Sequence, residues 1–526
     1  TLAMQLKIHE IASKMENPIA AGKVMRELID EPGSLDLHAG MFIPTIMNQG
    51  NDDQKKYWLP LALKTKIIGT YAQTELGHGT FIRGLETTST YDVVKDEFII
   101  HSPSVTSTKW WPGGLGKTAT HVIVMAQLFI NRTNYGPHPF IVQIRDLSNH
   151  QPLTGIQVGD IGNKLGYNAV DNGFLRFDHV RIPRNNMLMK YSKVSRDGTY
   201  YSSKIAKVSY GTMVFVRADI VINASLHLQK ALTIAIRYNS VRRQSNRDES
   251  GIETKILDYQ HSQRTLFPLL STSFALHFTG KAMKELYFKY NKLSNSNGNF
   301  SMLPELHAIT SGLKAVCTWK TKHGIELCRL SCGGHGFMHL SGIPHTEVNY
   351  TPQVTYEGDN NVLCLQTAKY LLKIKKLISS GSEISGYCSY MTKAIQNHSL
   401  IDINSINNEN ILKYLNAFEY RVNGLLNEQF NNNINENTFQ ENMIDWIKIS
   451  KAHCEYIILD EFIKGVDYIS TLNHDKNLHN VMYNLVSLYA LTVIEDNIGD
   501  YLKEEYFNKL QIKYISNEIK RLLKKI

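Results

Sequence analysis

No two of the six cysteines form a CxxC pair. Cys317, Cys328, Cys332, Cys364, Cys388 and Cys454 give neither a disulfide framework nor a zinc site by spacing, so buried free thiols in a reducing compartment are expected, with no metal. Cys328 and Cys332 are neighbours on one face if their segment is helical. The longest apolar runs, 122–130 and 481–494, fall short of the roughly 20 residues that span a bilayer, so no transmembrane segment is expected. No basic run is interleaved with aromatics, as single-strand nucleic-acid binding requires. Arg242-Arg243 is short, and 520–525 reads as a solvated helix end. A net charge of +9 over 526 residues suits anionic substrates and little more. No signal peptide is expected, so the five Asn-x-Ser/Thr triplets read as chance.

Several catalytic patterns are also missing. Gly116-Lys117-Thr118 resembles the end of a phosphate loop, but the glycine required five residues before Gly116 is Trp111. Gly77-His78-Gly79 and Gly334-His335-Gly336 each lack the third glycine of a dinucleotide fingerprint. There is no HExxH and no GxSxG. ATP hydrolysis, a classical NAD crevice, zinc hydrolysis and serine esterase chemistry have no support.

A hydrophobic share of 43% and a charged share of 20% are those of a globular protein, and the length implies about two to four domains. Residues 1–68 read as helical: Met4, Ile8, Ile11 and Met15 recur at helical spacing, and Asp52-Asp53-Gln54 opens another helix. Residues 69–204 turn to short Thr-, Val- and Ile-rich runs split by turn signals, including 97–100, 122–128, 139–144, 156–158 and 174–180, and read as a β domain. Residues 205–378 return to long amphipathic helices at 214–238, 258–289, 303–328 and 361–378. Residues 379–440 carry a Ser-Ser-Gly-Ser run and two Asn-rich runs, 404–410 and 431–437, and read as a linker with exposed loops. Helical pattern resumes over 441–526. This order argues against a doubly wound sheet, in which strand and helix alternate.

Three stretches carry the chemistry. Thr355-Tyr356-Glu357-Gly358-Asp359-Asn360 holds a carboxylate between an aromatic residue and a glycine, just before a helical run. Such a group can have a raised pKa and take protons, or can simply complement a helix N-terminus. Tyr71-Ala72-Gln73-Thr74-Glu75, followed by Gly77-His78-Gly79-Thr80, offers hydroxyls and backbone N–H groups suited to a flat polar ring and a phosphate. Lys109-Trp110-Trp111-Pro112-Gly113-Gly114 sets two tryptophans beside a tight turn. Each of the last two, taken alone, also reads as a structural turn.

Their combination and order resemble the acyl-CoA oxidases, a branch of the acyl-CoA dehydrogenase superfamily. The longest matching segments are 71–83, 106–117, 210–217, 332–337 and 355–367. The resemblance implies a mainly α fold with a central β domain: an N-terminal helical domain, a β-barrel-like middle domain, a four-helix bundle and an extra C-terminal helical domain. It implies Glu357 as the base that removes the α-proton of the thioester, with its own N–H stabilising the carbonyl oxygen, and FAD as the acceptor of the β-hydride. Tyr71, Ala72, Gln73, Thr74, Gly79, Thr80 and Gly113 match flavin contacts. Arg242 matches the pyrophosphate contact, Gln260 and Gln263 the adenine side, Gly333 and Gly334 the turn where a neighbouring subunit meets the dinucleotide, and Asp359 a position near phosphate. Tyr210 and Arg217 match acyl-CoA contacts.

The activity so implied is α,β-dehydrogenation of acyl-CoA to trans-2-enoyl-CoA with oxygen reduced to hydrogen peroxide, the first step of peroxisomal fatty-acid β-oxidation, by a homodimer. A dehydrogenase passing electrons to a carrier flavoprotein and a non-catalytic acyl-CoA-binding relative are the alternatives. Against the family pattern, the first N-terminal helices are expected to be missing, and the chain ends Lys524-Lys525-Ile526 rather than in a Ser-Lys-Leu address.

Overall fold

The computed structural model describes residues 2–15, 31–202, 211–392, 411–430, 436–503 and 505–526. The chain divides into two compact units, Thr1–Met213 and Val214–Ile526.

The first unit opens with helices α1 (Leu2–Ser13), α2 (Ile43–Gln49) and α3 (Asp52–Leu63). Helix α3 begins where its acidic signal places it. The Asn51 side chain accepts the Gln54 N–H at 2.9 Å, and the Gln54 side chain accepts the Asn51 N–H at 3.0 Å, which satisfies two N-terminal donors reciprocally. Nine strands follow: β1 (Gly69–Ala72), β2 (Thr88–Asp92), β3 (Glu97–His101), β4 (Lys109–Trp110), β5 (His121–Ile130), β6 (Thr133–Gln143), β7 (Ile156–Asp160), β8 (Gly173–Phe177) and β9 (Val180–Pro183).

β1 and β2 lie parallel to successive parts of β5, β6 pairs antiparallel with β5, and β3 and β9 extend the sheet beyond β2. A smaller sheet runs β4-β8-β7. Val122, Val124, Ala126 and Leu128 of β5 enter a core with Phe98, Phe140 and Leu175. Ile123 faces the other way, against Phe42, Ile46, Trp58 and Ala62. A strand covered on both faces carries a continuous apolar run, which is why 122–130 shows no alternation. The run expected as one strand over 174–180 is two, β8 and β9. The chain bends at Asp178-His179, where His179 takes a φ of +51°, and passes from the smaller sheet to the larger. A hairpin of β10 (Ser192–Val194) and β11 (Tyr200–Ser202) closes the described part of the unit.

The second unit is helical: α4 (Gly211–Val241), α5 (Gln260–Asn297), α6 (Leu303–Ser331), α7 (Ile343–Tyr350), α8 (Asn360–Ser379), α9 (Ile411–Phe430), α10 (Met443–Leu472), α11 (Lys476–Asp496) and α12 (Lys509–Leu523). Two of its glycines allow close helix contacts. A Cβ on Gly280 of α5 would lie 2.6 Å from the Ile222 Cα of α4. One on Gly312 of α6 would lie 2.6 Å from Cys454 Sγ of α10 and 2.8 Å from Thr367 Oγ1 of α8. A single apolar cluster runs from Ala218 through Leu313 and Leu371 to Phe462 and Leu523, so the helices after residue 379 share a core with those before it. All six cysteines are free and buried. Among the described residues no helix is long and apolar enough to cross a membrane.

Two segments depart from the sequence reading. Within 379–440, expected as linker and loops, α9 is a full helix that buries Ile411, Tyr414, Ala417, Phe418, Val422 and Leu426 at spacings of three and four. The asparagine runs on either side drowned that periodicity. The 404–410 run and residues 431–435 lie outside the described residues. In the helical block a hairpin of β12 (Arg243–Arg247) and β13 (Glu253–Lys255) separates α4 from α5. Its strands are fully polar and too short for a period-2 signal.

Candidate active site

Glu357 lies in the turn between a 3-10 segment, Thr351–Val354, and α8. It takes a φ of +57°, and Gly358 follows at +109°. A non-glycine residue in the left-handed region is strained and persists only where the surroundings enforce it. Two buried cations do so here. Arg217 of α4 donates from Nε to the Glu357 carbonyl at 3.2 Å, and Lys314 of α6 donates from Nζ to the Gly358 carbonyl at 2.8 Å. Glu357 is half-buried, and burial raises its carboxyl pKa while Arg217 and Lys314 oppose the rise. Its N–H makes no hydrogen bond among the described residues.

The two cations are themselves held. Arg217 Nη1 reaches Ser311 Oγ at 3.0 Å and His307 Nδ1 at 3.3 Å. Burial, with Arg217 adding to it, pushes His307 down to about 4, so its ring is neutral near pH 7 and Nδ1 accepts. Lys314 also donates to Asn360 Oδ1 at 2.9 Å, and the Asn360 amide returns to Ala315 O and Thr318 Oγ1. Asp359 caps α8, accepting the N–H groups of Asn361 (2.9 Å) and Val362 (3.3 Å), which explains an acid at this position without any ligand. Arg217, expected from resemblance at the acyl-CoA, is buried and reaches Glu357, Ser311 and His307. Tyr210 lies outside the described residues.

Arg242 stands at the far end of α4, exposed, with Nη2 3.3 Å from Gln244 Oε1. The Tyr259 hydroxyl, one residue before Gln260, donates to the Gln244 carbonyl at 2.9 Å. Tyr238 packs on His335, ring centroids 5.6 Å apart, bringing the Gly333-Gly334 turn to the same end. Gly333 has a φ of +58° with nothing near its missing Cβ. Arg242, Gln260, Gln263, Gly333 and Gly334 therefore gather in one region. Arg217 and Arg242 are 25 residues apart on this helix, roughly 37 Å at 1.5 Å per residue, so these groups stand far from Glu357.

In the first unit, the end of β1 and the 109–113 segment are bonded together. Thr70 Oγ1 donates to the Gly113 carbonyl at 2.7 Å, and the Trp110 N–H to the Thr74 carbonyl at 3.1 Å. Lys109 reaches the Gln73 carbonyl (3.1 Å) and Glu75 (2.9 Å). Trp110 stacks on Phe174, and Trp111 is exposed at a φ of +89°. Arg145 ties down the carbonyls of Leu115, Gly116 and Ala119. Tyr71 OH bonds to Gln73, Ala72 is buried, and Gly79 and Thr80 are exposed on the turn beyond. Among the described residues the Thr74 hydroxyl and the N–H groups of Gly113 and Gly114 have no partner. Both glycines are buried, where an unpaired N–H is costly unless a ligand or water takes it. These donors fit the polar edge of a flavin ring, and in the second unit the exposed Arg242 fits a phosphate anion.

Lys314, His307, Ser311 and Lys109 were not singled out from sequence as site residues. His307, Ser311, Lys314 and Thr318 do form one stripe along α6, at i, i+4, i+7 and i+11, and that polar line in an otherwise apolar helix was the available signal. Among the described residues His101, Asp178 and His179 bring three potential metal ligands within 4.8 Å at the surface of the first unit.

Family models described as acyl-coenzyme A oxidase N-terminal, acyl-CoA oxidase C-alpha1 domain and acyl-CoA oxidase match residues 1–68, 210–372 and 410–526. The chain is 46% identical over 500 residues to peroxisomal acyl-coenzyme A oxidase 1 of Rattus norvegicus, covering 93% of this chain and 75% of the relative. Its structure resembles Arabidopsis thaliana acyl-CoA oxidase 1 with a TM-score of 0.93 at 42% identity, covering 99% of this chain and 80% of that one. It resembles Caenorhabditis elegans acyl-CoA oxidase-1, crystallised with FAD and ATP, with a TM-score of 0.92 at 36% identity, covering 100% and 79%. Similarity of this extent, in sequence and in structure alike, means that the chain belongs to the acyl-CoA oxidase family.

Proposed function

We propose that this FAD-dependent acyl-CoA oxidase removes the α-proton of its thioester substrate with the Glu357 carboxylate. One observation carries the assignment: a half-buried carboxylate, raised by burial, on a left-handed turn whose own N–H is unpaired among the described residues. The α-C–H of a thioester is a weak acid, and it yields only if charge is stabilised on the carbonyl oxygen as it develops. The Glu357 N–H supplies a donor for that oxygen. The raised carboxyl makes the better base, and the cations Arg217 and Lys314 oppose the rise.

When bound, FAD accepts the hydrogen and electron pair from the β-carbon and is reoxidised by molecular oxygen, giving trans-2-enoyl-CoA and hydrogen peroxide. Thr74 and the Gly113 and Gly114 N–H groups hold the ring edge, beside Tyr71, Ala72 and Gln73 and the Gly79-Thr80 turn. Arg242 meets the pyrophosphate, with Gln260, Gln263, Gly333 and Gly334 around the adenylate, and Asp359 lies near phosphate while capping α8. The separation of Arg242 from Glu357 along α4 supports a homodimer, in which a second copy supplies the adenylate contacts. Tyr210 contacts the acyl-CoA. The names of the relatives support the peroxisome as the setting, and fatty-acid β-oxidation as the process.

The test is peroxide release from purified, FAD-loaded protein given palmitoyl-CoA in air, with Glu357→Gln alongside. Peroxide from the parent and a loss of at least about a thousandfold in the variant is the expected result. Flavin bleaching without peroxide would favour a dehydrogenase, and an active Glu357→Gln would remove Glu357 as the base.

A further inference from the structure

The catalytic turn is held through its backbone, and the group that holds it most tightly is a lysine with no solvent exposure. Lys314 Nζ donates to the Gly358 carbonyl at 2.8 Å and to Asn360 Oδ1 at 2.9 Å. Asn360 is in turn fixed to α6 through Ala315 O and Thr318 Oγ1, so Lys314 and Asn360 tie the first residue of α8 to the middle of α6. Arg217 does the same from α4 for the carbonyl one residue earlier. Successive carbonyls, 357 and 358, are thus each drawn to a different buried cation. A peptide group is planar, so fixing its carbonyl fixes the N–H on its other side. Holding two in succession fixes the backbone dihedrals of Gly358 and the peptide plane that leaves the Glu357 Cα.

Burying an ammonium is expensive, and neutral acceptors recover only part of that cost. A buried apolar residue with a different tether would fill the space at lower cost. The positive charge has a use in the same place: it opposes the rise of the Glu357 carboxyl pKa. We propose that Lys314 is a positioning residue of the oxidase reaction, which fixes the strained Glu357–Gly358 turn and, with Arg217, supplies positive charge that favours the ionised form of the catalytic carboxylate. This inference rests on Glu357 being the base.

The charged and titratable groups facing Lys314 are Arg217 from α4, Glu357 and Asp359 from the turn, and Cys364 from α8; its α6 neighbour His307 is neutral near pH 7. Burial, with Arg217 acting in the same direction, holds Lys314 down to about 8, against the raising effect of Glu357, Asp359 and Cys364. It carries its proton at neutral pH. Removing that charge raises the Glu357 pKa, so the acid limb of the rate profile moves to higher pH.

The test compares FAD-loaded parent, Lys314→Met, Lys314→Gln, Lys314→Arg and Glu357→Gln. Flavin content, Tm, kcat, KM for palmitoyl-CoA and the acid limb of kcat against pH are measured for each. The expected result for Lys314→Met is an acid limb raised by about one pH unit or more, and a kcat at pH 7 lowered at least tenfold, with KM within a few-fold. Lys314→Gln keeps a donor without the charge. It shifts the limb while holding Tm closer to the parent, which covers the case in which Lys314→Met folds poorly. Lys314→Arg restores the limb toward the parent position. A limb that stays at the parent pH in both neutral variants overturns the proposal, even if kcat or Tm falls, because a purely structural lysine would give that pattern. If Glu357→Gln is inactive while the neutral Lys314 variants match the parent, only this inference fails. If Glu357→Gln is active, the base assignment fails first.

Discussion

The Lys109 ammonium lies 2.9 Å from the Glu75 carboxylate, and neither side chain has any solvent exposure. Lys109 also donates to the carbonyls of Gln73 and Met125, while Glu75 accepts the N–H groups of Glu86 and Thr87. Burial holds Lys109 down to about 8 despite Glu75. At Glu75 burial pushes upward, but Lys109 and the N–H donors outweigh it and leave the pKa lowered. The pair is ionised at neutral pH, and it fixes the strand end that carries Gln73 and Thr74.

Lys109→Met leaves a buried carboxylate without its counter-charge. It is expected to cost about 3–5 kcal/mol and to lower the fraction of protein purified with FAD. Lys109→Met/Glu75→Leu, which removes both charges, is expected to recover most of the Tm. Differential scanning calorimetry and the flavin-to-protein absorbance ratio check both outcomes.

Thr74→Val removes a half-buried hydroxyl that has no partner among the described residues, so the fold loses nothing it uses. A hydrogen bond to the flavin is worth about 1 kcal/mol, and FAD affinity is expected to fall roughly five- to tenfold with Tm of the apoprotein unchanged. Titration of apoprotein with FAD, followed by fluorescence quenching, measures it.

Arg421 joins three segments of the second unit. It reaches Glu455 of α10 at 2.7 Å, Asp500 at 2.9 Å and Asn497 at 2.7 Å, and Lys320 of α6 meets Glu455 from the other side at 3.0 Å. Burial pushes Glu455 upward, but Lys320 and Arg421 outweigh it and hold the carboxyl down to about 2. Arg421→Ala takes one of two cations from Glu455, which keeps Lys320, and from Asp500, which keeps Lys448, and is expected to destabilise by about 3 kcal/mol. Arg421→Lys, unable to serve three acceptors in one plane, is expected to recover less than half. Thermal unfolding of the three proteins decides it.

Burial holds His121 down to about 4 and His453 to about 3, and His307 to about 4 with Arg217 contributing. Each folded pKa is below the unfolded value, so unfolding takes up protons between the two. Stability is therefore complete above about pH 6.5 and is lost as pH falls toward 4, with a slope of about 1.4 kcal/mol per pH unit for each histidine. A series of Tm values from pH 7.5 to 4.5 is expected to decline below 6.5, and His453→Gln is expected to make the decline shallower by about one proton. A flat series would show that these rings are not neutral in the fold.

The order of helical, β and helical blocks was legible because period and composition change sharply at Gly69 and again near residue 211. The long helices were legible because each buries one stripe. Helix α9 was not, since its buried stripe sits between asparagine runs that dominate any window. Motifs marked the Glu357 turn and the 70–74 and 110–113 segments, and the structure bonds those two segments together. Lys314 was not legible: a lysine on an amphipathic helix is read as a solvated cation until the fold shows which face it occupies. The hydrogen bonds of Arg217 to the catalytic turn were not legible, because a motif marks a position and says nothing of where a long side chain turns. The β12–β13 hairpin escaped because its residues are all polar.

The shared core of the second unit has a consequence for how the chain is made. Helices α5 and α8 cover part of their apolar surface with α10 and α11, which lie far downstream. From the end of α8 to the last core residue, Leu523, synthesis at 5–20 residues per second takes roughly 7–30 s. For that interval the nascent bundle holds uncovered leucine, isoleucine and phenylalanine faces. Newly made protein is therefore expected to depend on chaperones that shield such faces until α12 has left the ribosome, whereas the first unit, which closes its own core within 202 residues, can fold while translation continues.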